Sequence, residues 1–298
     1  MKKIYLQLIT KLVFLLIFCV SFLSCRKDET YNPEQKIQRI YEIGYVGPKY
    51  LIQEWTWDND RLMKIDYYRD ISLYLTEHYT YEKNKLVKVE DDDGYYKISY
   101  THLKYKKIEY YQDGRLIATW DFSYLNNKVS KIIFSYENNH FFVNQMINGR
   151  FLSSLMSKEV ISTLENFDKG SKSDFQTTIT IKYKYTGGNI REMKLAFDDQ
   201  DHSVTIFYKS YDKEQNPFYK HIEFTNNPFT NLLNVASSKN NPIDVFLLIE
   251  LPPRISGQEK FYQEKTYKYS YKYDNNFPVE EEQTENDMYR YKRYYEYE

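Results

Sequence analysis

Two-residue turn signals recur about every ten to thirteen residues from Glu54 onward, and this spacing constrains the fold more than any other feature. The signals are Asn59-Asp60, Lys83-Asn84, Asp93-Gly94, His102-Leu103, Asp113-Gly114, Asn126-Asn127 and Asn138-Asn139, with a less obvious break near Arg69-Asp70 and later ones at Gly187-Gly188 and Asn275-Asn276. Asn, Asp and Gly tolerate the positive φ that tight hairpin turns require. The sequence therefore predicts short antiparallel strands that are joined in order, about eight of them over residues 50–143.

Cross-strand pairing supports the same register. If two residues form each turn, the residues at i and i+5 face each other across the hairpin. Each of these pairs sets an aromatic residue against an apolar one, at Trp57 and Leu62, Tyr81 and Leu86, Tyr100 and Tyr105, Tyr111 and Leu116, Tyr124 and Val129, Tyr136 and Phe141, and Tyr185 and Ile190. Opposite charges, such as Asp58 and Arg61, lie just inside them. Turn chemistry, charge and hydrophobic pairing thus agree.

The hairpins also form an internal repeat. Copies begin at Trp57, Tyr81, Tyr100 and Tyr124 and end at an Ile or Val, namely Ile65, Val89, Ile108 and Ile132. Residues 149–167 carry apolar residues at intervals of three and four, which predicts a helix, and a second short helix is expected around Leu232-Leu233. The expected fold is mainly β, an antiparallel meander of repeated hairpins that forms a large twisted sheet or a barrel-like structure, with one or two short helices inserted after residue 149.

Composition excludes several classes of protein. The chain is 42% apolar with 33 Tyr among 298 residues, which is ample material for a core. Forty-one basic residues balance 42 acidic ones, so no basic excess predicts a nucleic-acid partner. The mean hydropathy of −0.72 argues against a barrel that spans a membrane.

The N-terminus has the features of a lipoprotein signal. Lys2 and Lys3 precede an apolar run that is too short for a membrane span, and Phe22-Leu23-Ser24-Cys25 resembles a lipobox. We expect a signal peptide over residues 1–24, a lipidated Cys25 with a charged tether over 25–35, and one hairpin-repeat domain over 36–298. Both cysteines, Cys19 and Cys25, belong to this segment, so the body forms no disulfide. An uncleaved anchor helix is the alternative, and it also leaves the body outside the cytoplasm.

The residues after Cys25 carry an export hypothesis. Lys27, Asp28 and Glu29 follow it in a pattern that resembles the signal for export to the outer face of the outer membrane in Bacteroidota-type lipoproteins. The alternative is simply a charged start to the tether. We expect lipid anchoring in the outer membrane, with the cell surface favoured over the periplasmic face.

A resemblance to a known family rests on the lipobox and on several further motifs. These are Tyr79-Thr80-Tyr81-Glu82, Tyr183-Lys184-Tyr185, Tyr271-Lys272-Tyr273-Asp274, Asn227-Pro228-Phe229, Ser238-Lys239-Asn240-Asn241-Pro242 and the Tyr-rich C-terminal strand. Together they resemble a family of Bacteroidota lipoproteins of unknown function that is described as having a porin-like fold. The hairpins also resemble Tyr-Asp repeats of bacterial surface and toxin shells, which are more regular and richer in Gly. The resemblance implies a fold and a location, and it implies no catalytic residue.

No catalytic or metal-binding motif is recognisable in the sequence. The five His residues are scattered, His221-x-Glu223 reads as a solvated pair, and Asp91-Asp92-Asp93-Gly94 reads as a charged hairpin end rather than a calcium loop. Phosphate loops and nucleophile elbows are missing. We therefore expect no metal, no cofactor and no enzymatic activity. A hydrolase such as a glycosidase, with a pair of carboxylates, stays as the alternative because 42 acidic residues supply pairs by chance.

The expected function is a surface binding or assembly module with an aromatic-rich β platform. Trp55 and Trp57 share one face of a strand, and Trp120 has matching parity on a later copy. These three are the candidate ligand-binding residues, and the partner is a glycan or a surface protein. The competing interpretation is that the aromatic residues only stabilise the hairpins, as β-propensity demands.

Overall fold

The structure, a computed structural model, is a closed antiparallel barrel. It describes residues 31, 33–69, 71–136, 177–197, 203–221, 238–251 and 260–298. Within these ranges the strands are β1 (Ile37–Ile43), β2 (Tyr50–Asp58), β3 (Arg61–Arg69), β4 (Ser72–Glu82), β5 (Lys85–Glu90), β6 (Tyr95–Thr101), β7 (Lys104–Gln112), β8 (Arg115–Leu125), β9 (Lys128–Tyr136), β10 (Thr177–Thr186), β11 (Asn189–Phe197), β12 (Ser203–Gln215), β13 (Asn240–Leu251), β14 (Phe261–Asp274), β15 (Phe277–Glu285) and β16 (Met288–Tyr297). Each strand pairs with its neighbours in sequence, and β16 pairs with β1 to close the barrel.

The predicted meander is confirmed, and the barrel replaces the open sheet that was its alternative. Residues 50–136 form eight consecutive strands, β2 to β9. Six of the expected i, i+5 pairs are register partners, namely Trp57 and Leu62, Tyr81 and Leu86, Tyr100 and Tyr105, Tyr111 and Leu116, Tyr124 and Val129, and Tyr185 and Ile190. Phe141, of the seventh pair, lies outside the described residues.

Helices are absent from the described ranges, so the fold there is all-β. The helix predicted over residues 149–167 and the one around Leu232-Leu233 lie outside the described residues, and nothing supports these insertions. In the same described ranges, no helix is long and apolar enough to cross a membrane.

The turns alternate between the two ends of the barrel. The end where β1 begins and β16 finishes, here called the N-terminal end, carries the turns at 59–60, 83–84, 102–103, 126–127, 187–188 and 275–276. The opposite end carries the connections at 44–49, 91–94, 113–114 and 286–287. At the N-terminal end, Asn84, Asn127 and even His102 adopt positive φ, as two-residue hairpin turns require.

A β-bulge after each turn at the N-terminal end explains the spacing of the repeat. Trp57 pairs with Leu62, but Thr56 pairs with Lys64, so Met63 is an extra residue in β3. The extra residue turns Leu62 and Ile65 to the same side, although they are three positions apart. The same shift occurs in the hairpins that contain Tyr81, Tyr100, Tyr124, Tyr185 and Tyr273.

Aromatic donors satisfy the carbonyl groups next to these bulges. The Tyr81 hydroxyl donates to Leu62 O at 3.0 Å, and the Tyr100 hydroxyl donates to Leu86 O at 2.7 Å. In each case the acceptor is the residue that precedes the bulge on a neighbouring hairpin. The carbonyl group at the same position accepts a hydrogen bond in four further cases. The donors and acceptors are Tyr124 and Tyr105 O, Tyr211 and Ile190 O, Tyr297 and Pro278 O, and Trp57 Nε1 and Ile37 O. A buried carbonyl needs such a partner, which explains why Tyr rather than Phe recurs.

Side chains alternate between an apolar interior and a polar outer face. In β14, Tyr267 and Tyr269 are buried, while Lys268, Ser270 and Lys272 between and beyond them are exposed. Buried residues from around the barrel form one interior cluster. Barrels that span a membrane show the reverse pattern, with apolar residues outward. The outward face of β14 is therefore polar, unlike the lipid-facing wall of a barrel that spans a membrane.

Candidate functional site

The three tryptophans that the sequence singles out all belong to the barrel core. Trp55 is buried and its Nε1 donates to Gln53 Oε1 at 3.0 Å. Trp57 is half-buried and donates to a carbonyl of β1. The ring of Trp120 packs on that of Phe134 with centroids 4.8 Å apart. These side chains do not form an exposed stacking platform, because the barrel closes around them; their role in ligand binding stays a prediction.

An aromatic cluster fills the N-terminal end of the barrel. Trp55 and Trp57 contact each other there, and Tyr31, Phe218 and His221 complete the group. The ring centroids of Tyr31 and His221 are 4.8 Å apart, and those of Trp55 and His221 are 5.0 Å apart. The segment that precedes β1 is thereby held inside this end.

His221 is buried rather than solvated, which corrects the sequence interpretation of His221-x-Glu223. Its Nε2 atom has no hydrogen-bond partner. Burial lowers the pKa of His221 to about 3, so the imidazole is neutral at neutral pH. Glu223 lies outside the described residues.

A second group of interior residues is ionisable. The charged strip, as it is called here, runs inside β14, β15, β16 and β1 and consists of Glu42, Lys265, Glu281, Glu285 and Arg293. Elsewhere in the described interior the side chains are mostly apolar. The strip therefore gives one side of the lumen a different chemistry from the rest.

Arg293 lies between two carboxylates at the centre of the strip. Its Nε donates to Glu42 Oε2 at 3.1 Å, and its Nη1 is 3.8 Å from Glu281 Oε1. Glu281 also accepts hydrogen bonds from the Tyr291 hydroxyl at 2.9 Å and the Tyr295 hydroxyl at 2.7 Å. Burial by itself lowers the pKa of Arg293, but the surrounding acidic groups raise it well above its usual value. The guanidinium therefore stays charged.

Nearer the end of the barrel opposite the N-terminal end, Glu285 forms ion pairs with two basic residues. Lys265 Nζ is 2.9 Å from Glu285 Oε1, and Arg290 bonds to the other carboxylate oxygen. The strip thus holds its charges in compensated groups. A glycosidase needs one protonated and one ionised carboxyl group on either side of a substrate. Glu42 and Glu281 instead share an arginine between them.

Glu281 occupies a position that other copies of the repeat give to an apolar residue. Ile65, Val89, Ile108 and Ile132 follow the bulge by the same spacing, whereas Glu281 follows Tyr273 and Pro278. Glu281 is only 3% exposed. Sequence analysis missed this residue because the copy was not aligned with the others. The shared spacing from Tyr273 was the signal that would have found it.

Apolar side chains project from hairpin tips at the opposite end. The apolar rim comprises Tyr45, Val46, Ile71, Leu73, Tyr74, Phe261, Tyr262 and Met288. Val46, Ile71 and Met288 are 85%, 84% and 64% exposed. Their hairpins, β1–β2, β3–β4 and β15–β16, are neighbours around the barrel. The rim therefore occupies one continuous side of this end, and it too was missed because the spacing of turns does not distinguish the two ends.

Ile71 is a β-branched residue with a positive φ, a combination that turns normally avoid. Its φ is 70°, in the left-handed region, where a β-branched residue is a genuine outlier. The other residues with positive φ in the described ranges are Gly, Asn, Asp, Lys or His. Such backbone strain costs roughly 1–3 kcal/mol and concentrates at functional positions. The apolar side chain is held outward at this cost, so Ile71 marks the rim as a candidate interaction site.

The acidic run at residues 91–94 is a hairpin end, as the sequence indicates. Asp91 Oδ1 accepts the backbone N–H groups of Asp93 at 3.0 Å and Gly94 at 2.8 Å. A Cβ atom at Gly94 would lie 2.2 Å from Tyr111 O, so only glycine fits. Among the described residues, no three His, Cys, Asp or Glu side chains are grouped as a metal site requires.

Comparison with solved structures identifies the architecture. A porin-like protein from Bacteroides vulgatus superposes with a TM-score of 0.52 at 12% identity, over 89% of this chain and 99% of that one. A porin-like protein from Bacteroides uniformis gives a TM-score of 0.49 at 12% identity, over 88% and 98%. The first likeness shows a shared fold and confirms the porin-like fold that the family resemblance implies. The chain matches no protein-family model and no curated protein sequence.

Proposed function

We propose that the protein is a lipid-anchored extracytoplasmic module that uses the apolar rim to bind a partner. The observation that carries this proposal is the exposure of Val46, Ile71 and Met288 on adjacent hairpin tips. Contiguous exposed apolar surface in a water-soluble domain usually marks an interaction site. The strained backbone at Ile71 supports the same assignment.

The anchor geometry supports a rim that faces away from the membrane. The Tyr31 hydroxyl donates to Pro217 O at 2.7 Å, which fixes the chain inside the N-terminal end. Cys25 precedes Tyr31 by six residues, a reach of about 20 Å when extended. A lipid on Cys25 therefore keeps the N-terminal end near the bilayer. The export pattern at Lys27, Asp28 and Glu29 supports the outer membrane and favours its outer face.

The chemistry of the rim favours a protein partner over a glycan. Sugars stack on flat aromatic faces, whereas the two most exposed rim residues, Val46 and Ile71, are aliphatic. Basic residues lie near the rim. Arg69 lies 4.5 Å from the Tyr74 ring, and Lys49 lies close to the outward rings of Tyr41 and Tyr294. A surface protein with an apolar, acidic patch would complement this arrangement. The hydrolase alternative has no comparable observation behind it.

Anchoring is tested by Cys25→Ala. We expect the variant to take up no labelled fatty acid and to leave the membrane without detergent, because each buried methylene of an acyl chain contributes about 0.8 kcal/mol of membrane affinity. Cys19→Ala is the matched control and should be labelled normally. Continued labelling of the Cys25 variant would show that the anchor lies elsewhere.

Binding by the rim is tested in cells with a photo-crosslinking residue at position 71 or, as a control, at the exposed Leu125 of the N-terminal end. We expect one discrete adduct from position 71 and none from position 125. The variant Val46→Ser with Met288→Ser should reduce the adduct at least about tenfold, as expected when apolar anchors are lost from an interface. An adduct that survives these changes, or that forms equally from position 125, would contradict the assignment of the rim.

A further inference from the structure

One section of the outer wall is strongly basic, although the chain as a whole is balanced. Strands β9, β10 and β11 contain six basic side chains, Lys128, Lys131, Lys182, Lys184, Arg191 and Lys194, and one acidic side chain, Glu192. In strands β14 to β16, by contrast, six basic residues stand with seven acidic ones. Strands β5 to β7 carry a similar excess, six basic side chains with two acidic ones, so the positive charge is concentrated on two parts of the wall.

Three of these lysines form a row across the strands. Lys131 is the register partner of Lys182, and Lys182 is the register partner of Lys194. Direct partners lie on the same side of a sheet, about 5 Å apart, and here that side faces outward. Like charges in this arrangement destabilise a sheet. The lysine row is thus a feature that folding stability alone does not favour.

Among the described residues, the lysine row forms none of the ion pairs that lysines form elsewhere on the wall. Lys88 pairs with Glu90, Lys268 with Asp287 and Lys272 with Glu280. Within the described residues, no carboxylate lies within ion-pair distance of the lysine row, and the single acid of these strands, Glu192, is taken by Lys184 at 2.8 Å. Lys194 interacts electrostatically with Glu250 beyond ion-pair distance, but the row as a whole carries more positive charge than nearby carboxylates offset.

The position of the lysine row indicates what that surface is. Lys131 lies four residues beyond the turn at 126–127, and Lys194 lies six beyond the turn at 187–188. Both turns belong to the N-terminal end, so the row lies roughly 10–20 Å along the strands from it. The tether to Cys25 leaves the same end, after Tyr31.

We infer that the lysine row docks the barrel wall onto the anionic lipid surface in which Cys25 is anchored. This inference rests on the proposed lipid anchor, whose reach of about 20 Å lets the barrel lean until β9 to β11 meet the headgroups. A lysine near an anionic bilayer strengthens binding about fivefold, so three together supply about a hundredfold. Acyl chains combined with a basic patch are a common arrangement for stable, oriented attachment.

The test uses the mature chain with Cys25→Ala, which has no lipid of its own, so its outcome does not depend on whether Cys25 is acylated. We expect this protein to bind vesicles of phosphatidylglycerol mixed with phosphatidylcholine, to ignore vesicles of phosphatidylcholine alone, and to be released by salt. Changing Lys131, Lys182 and Lys194 to Gln should weaken binding about a hundredfold and should leave thermal stability unchanged or slightly higher.

The matched control changes Lys88, Lys268 and Lys272 to Gln, which alters the net charge equally on paired lysines. We expect it to retain vesicle binding to within about threefold. Equal losses in the two triple variants would overturn the inference. The inference would also be overturned if the Cys25→Ala protein with an unchanged lysine row did not bind anionic vesicles. If the lysine row binds soluble heparin but not vesicles, it recognises an acidic polysaccharide and the lipid assignment is wrong.

Discussion

The same bulged hairpin builds two parts of the barrel interior that have opposite chemistry. In β2–β3 the inward residue after the bulge is Ile65, and in β14–β15 it is Glu281. The backbone register is the same in both hairpins, and both side chains are buried. The hairpin therefore requires an inward side chain at this position, and only the neighbouring strands decide whether that side chain can be charged.

The neighbours of each carboxylate explain the difference. Glu281 receives two tyrosine hydroxyls and lies beside Arg293. Glu77, a carboxylate within the mainly apolar part, is likewise held by the hydroxyls of Tyr67 and Tyr79, at 3.0 and 2.7 Å. A buried charge costs several kcal/mol unless hydrogen bonds and counter-charges replace the lost water. Glu77 and Glu281 are thus held in the same way, each by the hydroxyl groups of two tyrosines.

The largest effect should come from removing the cation of the charged strip. Arg293→Met leaves Glu42 and Glu281 buried without their counter-charge and should lower the free energy of unfolding by about 3–5 kcal/mol. Urea unfolding measures the change. Ile65→Val is the control in the apolar part and should cost about 1 kcal/mol. A loss no larger than that of the control would mean that the two parts of the interior do not differ in their need for compensation.

Adding Glu281→Gln to Arg293→Met gives a sharper version of this test. The second change removes one of the two uncompensated charges, so it should restore part of the lost stability, roughly 1–2 kcal/mol. If Glu281→Gln instead destabilises the double variant further, the carboxylate is stabilised by its tyrosines alone and Arg293 has only a packing role.

His221 should produce an intermediate effect that depends on pH, because burial in the aromatic cluster keeps its imidazole neutral, in contrast to the charged guanidinium of Arg293 in the charged strip. The folded pKa is lowered from 6.5 to about 3, so only the unfolded chain takes up a proton as the pH falls below 6.5. Stability from this group is complete above that value and declines toward pH 3. Between pH 7 and pH 5 the loss should be about 2 kcal/mol.

Thermal or urea unfolding at several pH values separates His221 from the other groups. His221→Gln should remove this part of the pH dependence, and the same change at the exposed His78 is the control substitution. If the profile of the His221 variant still falls by about 2 kcal/mol over this range, other titrating groups are responsible and His221 is solvated in the folded state.

The smallest expected loss of stability comes from removing the tyrosine hydroxyl groups that donate to carbonyl groups next to the bulges. Tyr81→Phe and Tyr100→Phe each remove one hydrogen bond to a carbonyl of a neighbouring hairpin and should cost about 0.5–1.5 kcal/mol. Tyr95→Phe, on the outer face of β6, should cost close to nothing. Chemical denaturation of the three variants provides the measurement. Equal effects at all three positions would show that the hydroxyl groups do not act through the bulges.

Sequence analysis predicts the repeated half of the fold well and the candidate site poorly. Turn residues such as Asn84 and Asn127 act locally, because the tolerance of a positive φ depends on the residue type itself. The strands over 50–136 and their register therefore followed from the spacing of these residues. The three tryptophans were expected on a platform, yet the closed barrel places them inside. Whether a strand face is inside or outside depends on where the sheet closes, and no local pattern contains that information.

The sequence by itself determined the hairpins, their spacing and the aromatic residues that pair across them, because these follow from contacts between residues that are close along the chain. Closure of β16 onto β1 joins positions that are more than 200 residues apart, and only the tertiary structure decided it. That closure brings Glu42 of β1 to Arg293 of β16, gathers the rim hairpins on one side, and leaves the lysine row on the outer wall. Burial and charge compensation depend on these distant contacts, so the charged strip and both candidate surfaces became visible only in the folded barrel.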